Sequence, residues 1–69
     1  EKDRRALFGF IISVEQEISA RAAKGLDMRQ PQELVKQAKA FFVQGDFVRA
    51  KKYSETALHN AKVFDKLGL

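Results

Sequence analysis

Residues 38–58 of this chain read AKAFFVQGDFVRAKKYSETAL, and this stretch decides the fold. Gly45 has no Cβ, so it can take the left-handed conformation that ends a helix. The carboxylate of Asp46 can accept hydrogen bonds from the N–H groups that begin the next helix. Apolar residues recur at helical spacing on both sides of this pair. They are Ala38, Phe41, Phe42, Phe47, Ala50, Ala57 and Leu58. The stretch therefore predicts a tight hairpin of two helices.

A third helix is predicted upstream of the hairpin, because apolar residues recur there at the same spacing. They are Leu7, Phe10, Ile11, Val14, Ile18 and Ala22. Gly25 is the expected end of this helix, and Pro31 fits the first position of the next one, where its missing N–H is no loss. The predicted helices span residues 3–24, 31–44 and 46–67. We predict an all-α fold, a three-helix antiparallel bundle that makes one domain of residues 1–69.

The predicted core lies on one face of each helix. Helix 2 contributes Leu34, Val35, Ala38, Phe41 and Phe42. Helix 3 contributes Phe47, Ala50, Ala57, Leu58, Ala61 and Phe64, with Tyr53 at the margin. Leu69 is expected to fold back over the last turn of helix 3, after the stop at Gly68. The solvent side of helix 1 is predicted to hold Ser13, Gln16, Glu17 and Arg21.

Two large apolar residues of helix 1 do not fit its apolar stripe. Phe8 and Ile12 lie next to each other at i and i+4, roughly a quarter-turn or more from that stripe at about 100° per residue. Either helix 1 lies between two others and needs a broad buried face, or the pair contacts a partner or another copy of the chain. Leu67 also falls outside the stripe of helix 3. We predict that Phe8, Ile12 and Leu67 bind the partner.

Composition limits the class of protein. The 69 residues include no cysteine, so neither disulfides nor a thiolate-bound metal can stabilise the fold. The absence of cysteine fits a reducing compartment, and we predict the cytoplasm. It equally fits a disulfide-free secreted domain. The longest apolar run, residues 7–12, is far too short to span a bilayer. The chain begins at Glu1 and its only methionine is Met28, so either its start is trimmed or, as we favour, it is part of a longer protein.

No residue pattern indicates catalysis. His59 is the only histidine, it lies among lysines on the polar face of helix 3, and no nucleophile is evident near it. The side chains of Glu15 and Glu17 diverge, so they do not make a metal-binding pair. Gly45 is a lone helix stop rather than a phosphate-binding loop. We predict no catalytic residue, no cofactor, no metal site and no small-molecule substrate.

A basic strip runs along helix 3, in a chain whose 13 Lys and Arg exceed its 9 Asp and Glu. Lys52, His59 and Lys66 lie in one line, and three more basic residues flank it. Such a strip can neutralise phosphates, but Glu55 and Asp65 interrupt it and no exposed aromatic ring is interleaved for base stacking. A solvated face is the ordinary interpretation, and nucleic-acid binding is the alternative. The residues of that alternative are Arg49, Lys52, His59, Lys62 and Lys66.

The hairpin resembles one tetratricopeptide repeat over about residues 34–58. The resemblance is carried by Leu34, Ala38, Phe41, Gly45, Phe47, Ala50 and Ala57. It departs at Gln37, Ser54 and Lys62, where that family usually has leucine, an aromatic residue and proline. The resemblance implies that small residues let helices 2 and 3 approach closely, and that helix 1 takes the place of a neighbouring repeat.

The second half of the chain also resembles a group of small uncharacterised archaeal domains with the signature Ala-x-x-Phe…Gly-Asp-Tyr/Phe…Ala…Leu-Gly-Leu. The matching residues are Ala38, Phe41 or Phe42, Gly45-Asp46-Phe47, Ala50 and Leu67-Gly68-Leu69. That group has no assigned activity, so this resemblance implies the fold alone. We predict a non-catalytic helical module that binds a protein partner or associates with itself, as part of a larger protein.

Overall fold

Three helices lie side by side in the computed structural model, which describes residues 2–68 and the side chains of residues 4–68. Helix α1 spans Lys2–Ala23, α2 spans Arg29–Gln44 and α3 spans Phe47–Leu67. The molecule measures 38 × 16 × 15 Å, and a helix as long as α1 extends about 33 Å. The three helix axes therefore follow the long axis, which confirms the predicted all-α bundle. Leu69, which is predicted to fold back, lies outside the described residues.

The turn between α2 and α3 ends one helix and begins the next. Gly45 has a φ of +88°, and its N–H donates to the carbonyl of Phe42 at 3.1 Å. The N–H of Asp46 donates to the carbonyl of Phe41 at 2.9 Å. Both bonds satisfy carbonyls that the end of α2 would otherwise leave unpaired. Oδ1 of Asp46 accepts from the N–H of Arg49 at 3.2 Å and so caps α3, as the sequence predicts.

Gly45 and Gly9 are expected to respond in opposite directions to alanine. The positive φ of Gly45 disfavours any side chain, so Gly45→Ala should lower the free energy of unfolding by about 1 kcal/mol. Gly9 lies inside α1, and apart from its chain neighbours and its own helix backbone no atom of the described residues lies within 4 Å of the position that a Cβ would occupy. Gly9→Ala should therefore raise the free energy of unfolding by about 0.5–1 kcal/mol through helix propensity. Urea denaturation measures both, and effects of the same sign would contradict these backbone assignments.

Helix α2 begins earlier than predicted, at Arg29 rather than at Pro31. Pro31 lies in the first turn all the same, where an N–H would have no intrahelical partner. Asp27 holds the start of the helix, because its Oδ1 accepts from the backbone N–H of Arg29 at 3.2 Å. Both carboxylate oxygens also accept from the Arg29 guanidinium, at 3.0 and 2.9 Å. These hydrogen bonds, first those of the side chain and then that of the backbone, lower the pKa of Asp27 to about 2.

The core takes larger side chains from α1 and α2 than from α3. The buried residues of α1 and α2 are Ile11, Val14, Ile18, Pro31, Val35 and Ala38. Met28, in the connection between these helices, is buried in the same cluster although its sequence position gives it no place on a helix stripe. A flexible, unbranched side chain is well suited to fill such an irregular gap.

The buried stripe of α3 consists of small residues, namely Ala50, Ser54, Ala57 and Ala61. The buried hydroxyl of Ser54 donates to the carbonyl of Ala50 at 2.7 Å, so it is satisfied within its own helix. Small side chains let helices approach closely, and α2 and α3 make the most extensive helix contact in the bundle. The prediction that Phe47 is buried is wrong, because Phe47 is the first residue of α3 and 38% of it stays exposed at the end of the bundle.

Arg21, predicted to face solvent, lies between α1 and α3 with 17% of its side chain exposed. Its Nη1 donates to the carbonyl of Glu17 at 3.1 Å and to Oε1 of Glu17 at 3.3 Å. Its Nε lies 3.2 Å from Oδ2 of Asp65, close enough for an ion pair but not aligned as a hydrogen bond. The methylene stem of an arginine can cover apolar surface while the head group reaches carboxylates. Arg21 thereby ties α1 to the C-terminal part of α3.

Candidate interaction surface

A groove runs along one side of the bundle between α1 and α2, which contact each other less than either contacts α3. It consists of three adjoining concavities of about 430, 200 and 300 Å³. We call the end of the bundle that holds Gly45 the turn end. The first concavity lies there and is lined by Arg4, Arg5, Phe8, Gly9 and Phe42. The second is lined by Phe8, Ile11, Ile12, Lys39, Phe42 and Val43. The third is lined by Glu15, Ile18, Ser19, Gln32, Val35, Lys36 and Lys39. Together they form the α1/α2 groove.

Phe8 and Ile12, two of the residues predicted to bind a partner, lie together in the α1/α2 groove. Phe8 is 49% exposed, and its ring packs against Phe42 of α2 with the ring centroids 5.4 Å apart. Ile12 is half-buried, and Val43 on the opposite wall is 85% exposed. Each side chain of the predicted pair therefore has one side packed on the bundle and another in open space. The sequence left open whether Phe8 and Ile12 are buried or exposed, and in the structure both are partly exposed.

Basic residues dominate the charged lining of the groove. Arg4 and Arg5 line its turn end, and Lys36 and Lys39 line the part farther along α2. Glu15 is the one acidic residue among the described lining, and it forms an ion pair with Lys39 that bridges α1 and α2. Among the side chains of residues 4–68, no carboxylate lies within ion-pair distance of Arg5 or Lys36. The groove is therefore apolar at its floor and positive along its edges.

Three aromatic rings pack in tilted pairs at the turn end of the bundle, and two of them, Phe8 and Phe42, line the groove. Phe42 lies between Phe8 and Phe47, with ring centroids 5.4 and 5.3 Å away. The guanidinium of Arg4 lies 5.9 Å from the centroid of Phe42 and 6.0 Å from that of Phe47, within the range of a cation–π contact. Tilted ring pairs of this kind stabilise beyond their buried area. This aromatic cluster is thus built from residues of all three helices.

A second apolar concavity, of about 400 Å³, lies between α1 and α3 at the turn end. It is lined by Ala6, Leu7, Phe10, Phe47, Val48 and Lys51. Val48 is 81% exposed, and neither Val48 nor Val43 is among the residues predicted to bind a partner. Both are β-branched apolar residues outside the predicted stripes and close to the turn at Gly45. These two properties are the sequence signal by which Val43 and Val48 could have been recognised as exposed apolar residues.

Leu67 does not belong to the same surface as Phe8. Helix α3 begins at the turn end and carries Leu67 about 30 Å from Phe47, because each residue adds 1.5 Å along a helix. Leu67 is 64% exposed at the opposite end of the bundle, one turn after the partly exposed Val63. Phe8 and Ile12 therefore share one surface and Leu67 lies on another, and partner binding by these three residues stays a prediction. Helix spacing alone does not tell which end of a bundle a residue occupies.

The predicted basic strip is exposed along α3. The five residues predicted for nucleic-acid binding, Arg49, Lys52, His59, Lys62 and Lys66, are all exposed. The guanidinium of Arg49 lies 5.7 Å from the ring centroid of Phe41. Asp65, which interrupts the strip in sequence, is directed toward Arg21 of α1. Tyr53 is half-buried and packs on Phe41 with centroids 5.0 Å apart, so it does not offer a free ring for base stacking.

Two further features of the surface concern membranes and metals. Within residues 2–68, no helix is long and apolar enough to cross a membrane. The described residues also bring together no group of three or more His, Cys, Asp or Glu side chains that could hold a metal ion. What this surface offers a ligand is apolar contact and positive charge.

Comparisons of the chain with protein-family models, with curated proteins and with solved structures gave no match. The resemblance to a tetratricopeptide repeat and to small archaeal domains therefore stays a prediction.

Proposed function

We propose that this chain is a non-catalytic helical module that binds a protein partner, or a second copy of itself, through the α1/α2 groove. The observation that carries the proposal is the half-exposed Phe8 beside Ile12 and Val43, where the two helices leave apolar side chains facing open space. Fully burying a side chain such as phenylalanine contributes roughly 1.5–3 kcal/mol. A partner that covers these residues gains part of that free energy, and contiguous apolar surface often marks such a contact.

The double variant Phe8→Glu with Ile12→Lys is expected to remain helical and to lose partner contact. Both side chains are partly in open space, and the two substitutions leave the net charge unchanged. Val63→Glu with Leu67→Lys is the matched control, because these residues are also apolar, partly exposed and four positions apart, but lie outside the groove. Circular dichroism checks the fold of both variants. If the first variant unfolds and the control does not, Phe8 and Ile12 are core residues and the proposal is wrong.

Photo-crosslinking measures the contact directly. A photoreactive phenylalanine analogue in place of Phe8 is expected to form a defined covalent adduct on irradiation, and the same analogue in place of Lys62 is not. An adduct of twice the chain mass in the purified protein identifies a second copy as the partner. An adduct of another mass, formed in the cells that make the protein, identifies a different protein. If Phe8 gives no adduct in either setting and light scattering finds a monomer at every concentration, the groove is not an interaction site.

The exposed basic strip of α3 supports a second candidate function, nucleic-acid binding. Lys52, Lys62 and Lys66 are all exposed, so replacing the three by glutamine is expected to leave the fold intact. Under the protein-binding proposal, the wild type and this triple variant bind single-stranded RNA and duplex DNA equally weakly at moderate salt. If the wild type alone binds, with an affinity that falls steeply as salt rises, then nucleic acid is the ligand. Fluorescence anisotropy over a salt series makes this measurement.

A further inference from the structure

We infer that the partner segment in the α1/α2 groove is an amphipathic helix of about four turns with acidic residues along its flanks. This inference rests on the proposed function, because it takes the groove as the contact site. It adds the secondary structure and the charge of the occupant.

The dimensions of the groove match a helix. On α1 the lining extends from Arg4 to Ser19, which is about 22 Å at 1.5 Å per residue. A helix of about 15 residues has that length. Two antiparallel helices with a groove between them leave the position that the remaining helix takes in a four-helix bundle. An occupant with apolar residues at i, i+3, i+4 and i+7 would lay that row on the groove floor.

Gly9 lets such a helix come close to α1. Glycine inside a helix lowers stability relative to alanine, and a Cβ at Gly9 would contact no described side chain and no backbone of another helix within 4 Å. Packing within this chain therefore does not require the glycine. Gly9 lines the groove at the turn end, and the small Ser19 lines it at the far end. Small residues on both ends of the α1 wall leave room for the backbone of an approaching helix.

Charge decides between possible occupants. The edges carry Arg4, Arg5, Lys36 and Lys39, and the single acid Glu15 already pairs with Lys39. Acidic residues on both sides of the occupant's apolar row would lie opposite basic residues on both walls of the groove. This charge complementarity favours association with an acidic helix and disfavours a basic one.

A second copy of the chain has the wrong charge for the groove. Two copies joined groove to groove would place Arg5 and Lys36 against residues of the same sign. The exposed apolar pair of α3, Val63 and Leu67, is flanked by lysines and would bring positive charge to a positive groove.

A lipid surface fits the groove less well than a helix does. Ile11, Ile18 and Val35 line the floor although each is buried, so the floor lies below the charged edges. A rod-shaped helix can enter such a recess, whereas a flat bilayer meets the edges first.

A display library of amphipathic helices tests the inference. Each member has about 15 residues, with apolar residues at i, i+3, i+4 and i+7 and with flanking positions that vary among Glu, Lys, Gln and Ser. Selection is made on the wild type, with counter-selection on the variant Phe8→Glu with Ile12→Lys. We expect Glu to be enriched over Lys at the flanking positions. Enrichment of Lys, or the absence of any selected helix, overturns the inference.

The best selected peptide is then measured against charge-reversal variants. Arg5→Glu with Lys36→Glu is expected to weaken its binding about 10-fold, since two attractive contacts become repulsive. Lys52→Glu with Lys62→Glu makes the same change in net charge on α3, outside the groove, and is expected to change the affinity by less than about twofold. All four positions are exposed, so these variants are expected to fold. Equal losses of affinity in both variants would mean that only the net charge of the protein matters. The α1/α2 groove would then not be the binding site of the peptide.

Three further outcomes separate this inference from the proposed function. If Phe8 crosslinks to a protein but the library enriches no acidic helix, the interaction site stands and the acidic helix does not. If no helix is selected and vesicles of equal parts phosphatidylcholine and phosphatidylserine bind the wild type but not the Arg5→Glu, Lys36→Glu variant, the occupant is a lipid surface. If neither a crosslink nor a selected helix is found, both the function and its partner are wrong.

Discussion

The variant Ile11→Ala is expected to lose about 2–5 kcal/mol of its free energy of unfolding. Ile11 is fully buried in the cluster that joins the three helices. Its replacement removes buried apolar groups and leaves a cavity that the short helices can close only in part. A core of this size supplies only about 3–5 kcal/mol of stability, so the variant should be largely unfolded without denaturant. Urea denaturation followed by circular dichroism measures the loss.

Ile12→Ala is the matched control, because the same side chain is removed one position later. Ile12 is half-buried in the α1/α2 groove, so its removal opens no closed cavity, and we expect a loss of about 1 kcal/mol. Ile12→Ala should also weaken the binding of a partner while the chain stays folded, whereas Ile11→Ala is expected to lose binding chiefly because the chain unfolds. Equal losses of stability at the two positions would show that Ile12 belongs to the closed core and that the groove is not open there.

Ala50→Leu is expected to lower the free energy of unfolding by about 1–3 kcal/mol through overpacking. Ala50 is fully buried in the stripe of small residues on α3. A leucine there has to push α2 or α1 away from α3. Each 1 kcal/mol lowers the melting temperature of a domain this size by roughly 4–8 °C, so calorimetry detects the change easily.

Ala40→Leu is the control for this substitution, because Ala40 is exposed on α2. Its effect is expected to stay within about 0.5 kcal/mol of the wild type. If leucine is accepted without loss at both Ala50 and Ala57, then α3 is not held close to its neighbours by its small residues. In that case the predicted resemblance to a tetratricopeptide hairpin would also be wrong.

The open groove and the small core have a common consequence for binding. A partner that binds only the folded bundle stabilises it, by about 2.7 kcal/mol when its concentration is 100 times its dissociation constant. That gain is comparable to the whole stability that a core of this size provides. A helix that fills the α1/α2 groove would therefore complete the bundle as well as bind to it.

The sequence alone determined the three helices and the turn that joins two of them. Gly45 and Asp46 act locally, through a backbone conformation and a hydrogen bond within a few residues, so their roles can be read without knowing the fold. The same holds for the apolar stripes, because the helical period places Ile11 and Ile18 on one face of α1. Even the position of Phe8 and Ile12 beside this stripe follows from the period.

The tertiary structure alone decided what covers each face. The helical period fixes the direction of a side chain about its own helix axis, but it does not fix the distance or the rotation between axes. Small residues such as Ala50 and Ser54 let α3 lie close to α2, and Arg21 joins α1 to α3 by an ion pair. Helix α1 therefore has fewer contacts with α2 than with α3. The groove at Phe8 and Ile12 exists because of that unequal packing.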